Sequence, residues 1–73
     1  MPEIKPMSRR ELIKKLRTLG FDGPFGGGKH SYMRKYGQRI IIPNPHRADL
    51  GVKLIRKIIR QLEMSDEDWL AAK

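Results

Sequence analysis

The sequence predicts an α+β domain, a three-stranded antiparallel sheet with two helices packed on one face and a short C-terminal helix. Two amphipathic segments at helical spacing flank the middle of the chain. Between them, two runs of strand length meet around Tyr36-Gly37, which reads as a β-hairpin. A lone hairpin is marginal, and the helices need a surface for their apolar stripes, so a third strand and a helix-covered face complete the architecture.

Residues 1–7 hold two prolines and little apolar content, which predicts a loose arm ahead of a single domain over 8–73. Ser8 and Glu11 form an S-x-x-E capping box, with Met7 and Leu12 at the positions of a hydrophobic staple. Leu12, Ile13, Leu16 and Leu19 then share one helical face, while Arg9, Lys14, Lys15 and Arg17 point elsewhere. Gly20 is placed to end this helix in a left-handed turn.

Phe21–Phe25 reads as a short edge strand, because Pro24 and the following glycines argue against a central one. The hairpin strands are Lys29–Lys35 and Gln38–Pro43, the second built on Ile40, Ile41 and Ile42. Asn44 to Asp49 is a loop, with Asp49 as the expected cap of a helix over Leu50–Leu62. Val52, Ile55, Ile58, Ile59 and Leu62 form that helix's apolar stripe; Lys53, Arg56, Lys57 and Arg60 form a basic one. Ser65 and Asp68 repeat the capping pattern before a last helix over Asp66–Ala72, whose first turn is acidic.

Charge is the strongest global signal. Sixteen Lys and Arg against eight Asp and Glu leave +8 on 73 residues. A field of that sign attracts polyanions, with nucleic acid ahead of an anionic membrane or an acidic protein. The chain has no cysteine, which excludes thiol nucleophiles and thiolate metal sites and fits a reducing cytosol. Its two histidines stand apart with no carboxylate cluster, so no metal is expected. The start, MPEIKPMSRR, has no apolar run and no segment is long enough to span a bilayer, which predicts a soluble cytoplasmic protein without membrane contact.

Period-two alternation places His30, Tyr32 and Arg34 on one sheet face, and Lys29, Ser31, Met33 and Lys35 on the other. Met33 is the better core residue, so the first set faces outward. An imidazole takes and returns protons near neutral pH. Lys29 and Arg34 supply cations for phosphate, Tyr32 a ring face for a base, and the Lys53–Arg60 stripe a track for a phosphate backbone. The bland alternatives stay open: His30 as a surface residue, the glycines as a turn or bulge, the stripe as a solvated face. GGGK at 26–29 is not a P-loop, since the first spaced glycine and the Ser/Thr after the lysine are missing.

The helix ending in LRTLGF, the Gly28-Lys29-His30 element, the hairpin with its glycine turn, RIIIPNPH and the closing KLIRKIIRQLEMS together resemble the HicA-like (YcfA-like) mRNA interferase toxins of HicA/HicB toxin–antitoxin modules. The resemblance covers about 8–65. It implies an α-β-β-β-α fold like the double-stranded RNA-binding domain, ribosome-independent cleavage of mRNA, dependence on His30, and neutralisation by a HicB-like antitoxin; the expected reaction itself is metal-independent and needs no cofactor. Two features depart from the family. Lys29 stands where a serine is common, and FDGPFGG is poorer in β-branched residues than the usual first strand.

The expected function is therefore an endoribonuclease toxin, monomeric when free, with His30 as general base or acid while the 2′-hydroxyl attacks phosphorus. His46 or a water would be the second proton carrier. A non-catalytic RNA-binding module of the same fold, reading RNA shape and phosphates, is the alternative. A basic protein made to meet an acidic partner is a third.

Overall fold

The computed structural model describes residues 3–26, 31–43 and 49–72. Lys29, His30 and His46 lie outside the described residues. The order is α1 (Arg9–Thr18), β1 (Asp22–Phe25), β2 (Ser31–Lys35), β3 (Gln38–Ile42), α2 (Val52–Gln61) and α3 (Asp66–Ala71). The α+β class and the element order are those the sequence predicts.

Local chemistry accounts for α1. Ser8 Oγ accepts from the Glu11 N–H at 3.1 Å, and Glu11 Oε1 accepts from the Ser8 N–H at 3.3 Å, so two otherwise orphaned donors are satisfied. At the other end Gly20 takes φ +99°. The Phe21 N–H reaches Leu16 O at 2.9 Å and the Gly20 N–H reaches Arg17 O at 3.0 Å, the paired bonds of a Schellman motif. A side chain at position 20 would also press on the end of Lys35 at 3.2 Å.

The sheet order is β1-β2-β3, antiparallel throughout. Ser31 pairs with Ile42, Met33 with Ile40 and Lys35 with Gln38, leaving Tyr36 and Gly37 as a two-residue turn. Tyr36, at φ 55°, occupies a left-handed position there. Alternation sends Ser31, Met33, Ile40 and Ile42 inward, and all four are buried. Leu12 and Leu16 of α1 and Ile55, Ile58 and Ile59 of α2 close over them in one core. The molecule is only 18 Å through its thinnest direction, the depth of one helical layer on one sheet. The other sheet face is therefore uncovered.

Two boundaries differ from expectation. Asp49 does not cap α2; the N-cap is Gly51, which has no side chain to offer. Leu50 is held in extended pairing with Met7, donating to Met7 O at 2.7 Å and accepting from the Met7 N–H at 3.3 Å, and this postpones the helix past the reach of Asp49. The same pairing fixes the chain ahead of α1, where Ile4 is only 5% exposed and belongs to the core.

α3 follows its predicted pattern, with Ser65 Oγ accepting from the Asp68 N–H at 3.0 Å. It places Trp69 in the core and is tied to α1 by Lys15, whose Nζ donates to Trp69 O at 2.8 Å and sits 5.0 Å from the indole centroid. Burial lowers the pKa of this lysine from its ordinary 10.5.

Candidate nucleic-acid interface

The uncovered sheet face is built by cross-strand register. Tyr32 and Arg34 on β2 stand opposite Ile41 and Arg39 on β3. On the other side Phe25 pairs with Tyr32 and Asp22 with Arg34, so three residue steps on β1 match two on β2. In a regular strand, Asp22 and Phe25 would project to opposite faces. The extra residue returns Phe25 to the face that carries Tyr32.

The result is a set of rings and guanidinium groups in mutual contact. The Phe25 and Tyr32 centroids are 5.7 Å apart with planes inclined at 41°. Arg39 Cζ lies 4.5 Å from the Tyr32 centroid, and Arg34 Cζ lies 5.6 Å from that of Phe25. Each ring thus holds a cation against its face. Ile41, half exposed, extends the apolar part towards the β3 edge. Asp22 brings a carboxylate to this face, at the Arg34 end. Planar rings and planar cations in this arrangement can stack flat aromatic groups and neutralise anions linked to them.

The structure thus places Tyr32 and Arg34 together, as the sequence predicts, and adds Phe25 and Arg39. Arg39 was in principle legible from the hairpin, since a two-residue turn at 36–37 fixes it opposite Arg34. Phe25 was not legible, because its facing depends on the irregularity in β1.

Lys53, Arg56, Lys57 and Arg60 are all exposed on α2, away from the buried Ile55, Ile58 and Ile59. They do not merge with the sheet face, because α2 lies on the sheet's other side. Arg56 is also engaged with Asp66 of α3 at 3.2 Å, a solvent-exposed pair of small energetic weight. Lys57 shares a groove of about 220 Å³ with Ile41, Pro43, Leu54, Ile58 and Gln61.

Lys29 and His30 belong to this site only by sequence. Ser31, which follows His30 in the chain, pairs with Ile42. That pair closes one end of the β2–β3 ladder. Among the described residues no group of His, Cys, Asp and Glu could hold a metal ion, and no helix is long and apolar enough to cross a membrane.

Fold and face define a small basic α+β protein whose sheet is open on one side. The family model described as "HicA toxin of bacterial toxin-antitoxin" matches residues 9–64, which takes in every element from α1 to the end of α2. The chain belongs to the HicA toxin family, and membership implies a cognate antitoxin as its partner. No curated protein and no solved structure matches it.

Proposed function

We propose that this toxin is a metal-independent endoribonuclease, an mRNA interferase acting in the cytoplasm as a monomer and silenced by a HicB-like antitoxin. The observation that carries this reading is the sheet face, where Phe25 and Tyr32 offer rings for unpaired bases and Arg34 and Arg39 offer charge for the intervening phosphates. The α-β-β-β-α order and the one-sided helical layer support a likeness to the double-stranded RNA-binding domain.

In the proposed reaction a ribose 2′-oxygen attacks the adjacent phosphorus as His30 removes its proton. The P–O5′ bond breaks, leaving a 2′,3′-cyclic phosphate and a 5′-hydroxyl. The 5′-oxygen takes its proton from a second carrier, His46 or a water; with the roles exchanged, His30 is the acid. Lys29 and Arg34 stabilise charge developing on the phosphoryl oxygens, Tyr32 positions the base, and Lys53, Arg56, Lys57 and Arg60 attract the backbone. The nucleophile is the substrate's own 2′-oxygen and not a water, so neither a metal-bound hydroxide nor a redox partner is required.

The test is cleavage of RNA by purified wild-type and His30→Ala protein with a chelator present and folding checked by circular dichroism. Cutting by wild type that is lost in a folded variant supports the mechanism. Equal cutting by both removes His30 from it. RNA binding by both without any cutting would replace the enzyme with a binding module.

A further inference from the structure

The described part of the molecule carries a third cationic surface, which neither the sheet face nor the α2 stripe includes. Arg9, Arg10, Ile13, Lys14 and Arg17 line a groove of about 500 Å³ along α1. Residues at these spacings fall on adjoining sides of a helix and repeat roughly once per turn of about 5.4 Å, a step comparable to the phosphate repeat of a nucleic-acid strand.

Three features mark the groove as a place for anions. Among the described residues, Arg9, Arg10 and Lys14 have no carboxylate partner, whereas Arg56 on α2 is tied to Asp66. Arg9 Nε is shielded from solvent and has no acceptor, so its guanidinium keeps an unmet donor. Three of the four cations are arginines, whose planar forks suit phosphate oxygens.

The position of the groove ties it to the sheet face. Arg17 donates to Gly23 O from Nε at 3.0 Å and from a terminal nitrogen at 2.8 Å, which fixes the α1 groove to β1. β1 is an edge strand, and two residues further along it Phe25 lies on the open face. A strand whose bases stack on Phe25 and Tyr32 reaches the α1 groove by rounding the β1 edge. The α2 stripe, in contrast, borders β3, where Lys57 shares a groove with Ile41.

We propose that the α1 groove is a further phosphate-binding track of this toxin, gripping the backbone of the same single-stranded RNA whose bases occupy the sheet face. This inference rests on the RNA-cleaving reading above and adds Arg9, Arg10, Lys14 and Arg17 to its binding surface.

The experiment uses the full chain and a short single-stranded RNA bearing 2′-O-methyl groups, in which the nucleophile is blocked and binding is measured without cleavage. Fluorescence anisotropy at several salt concentrations compares wild type with the doubly substituted Arg10→Gln/Lys14→Gln protein. The expected result is affinity lower by about tenfold at low salt and a salt slope shallower by about 1.4, the counterion release of two phosphate contacts on a single strand. The exchanged pair Arg10→Lys/Lys14→Arg keeps the charge and should restore both.

An unchanged affinity and slope, with binding still weakened by Arg39→Gln on the sheet face, overturns the α1 track and leaves the RNA reading intact. Unchanged RNA binding together with weaker capture of the cognate antitoxin assigns the groove to an acidic protein and also overturns it. If wild type neither binds this RNA nor cuts the unmodified one, both readings fall together.

Discussion

Phe25 of β1 and Tyr32 of β2 meet across the open sheet face with their ring centroids 5.7 Å apart, although β1 reaches that pairing only through an irregular register. Phe25 is 38% exposed, too open for its contact with Tyr32 to be simply core packing. On the RNA reading this ring is a stacking surface, and base–aromatic stacking contributes about 1–3 kcal/mol per base. Phe25→Ala should therefore weaken binding of a 2′-O-methyl RNA by roughly 5- to 150-fold. It should leave the circular dichroism spectrum unchanged. A folded variant that binds as wild type does would remove the face from RNA recognition.

Two helix ends share one motif but not one residue. Gly20 after α1 and Glu63 after α2 both sit in left-handed backbone, at φ +99° and φ 55°. Met64 N–H to Ile59 O at 3.2 Å and Glu63 N–H to Arg60 O at 3.1 Å reproduce after α2 the bonds seen after α1. A side chain there costs about 1–2 kcal/mol, and a carboxylate at a helix C-terminus adds to the cost. Glu63→Gly should raise stability by about 1 kcal/mol, which in a domain of this size is about 4–8 °C in Tm. Gly20→Ala should lower it by a similar amount, since it adds backbone strain and a close approach to Lys35. Thermal melts of both variants decide this, and opposite signs are the required result.

The elements were legible where their causes are local. The Ser8–Glu11 box, the Ser65 cap and the Ile55–Ile58–Ile59 stripe are written within a few residues of one another, and the structure forms all three. The inward Met33 and outward Tyr32 followed from period-two alternation. What the sequence hid depends on distant partners. Ile4 sits between prolines with no periodicity to mark it, and its place in the core goes with the distant pairing of Met7 and Leu50. Asp49 looked like a cap because its type suits one, yet the same pairing keeps Leu50 extended. Phe25 joins the site through a bulge that no spacing rule reveals, and the separation of the α2 stripe from the sheet face is a property of layers, not of spacing.

Lys15 gives a pH-dependent prediction. Its pKa lies below 10.5 because burial disfavours the ammonium, even with Trp69 O at 2.8 Å as acceptor. At neutral pH the lysine is charged both folded and unfolded, so the full desolvation cost is present. As pH rises through the folded value towards 10.5, the folded state releases its proton first and the cost is relieved. Lys15→Met keeps the apolar stem and removes the titration. The stability of the variant minus that of wild type should be most favourable near neutral pH and should fall as pH approaches 10.5. Urea midpoints at several pH values test this; a difference that grows with pH would mean that the indole and carbonyl contacts outweigh burial.

The family match ends at residue 64, but the core does not. Trp69 is 1% exposed and Ile4 5%, and both lie outside the matched span while packing with residues inside it. Large-to-small substitution at such positions costs about 3–5 kcal/mol for a tryptophan and about 2–5 kcal/mol for an isoleucine. A domain of this length has only about 4–11 kcal/mol in total, at the usual stability per residue. Trp69→Ala should therefore leave the free toxin largely unfolded or close to it near body temperature. Ile4→Ala should fold with a visibly lower Tm. Cutting the chain after Met64 removes Trp69 together with the carbonyl that receives Lys15, so the truncated protein should be at least as unstable as Trp69→Ala. Thermal and urea melts of the three proteins establish the order. A truncated chain as stable as the full one would show that α3 covers a core already complete without it.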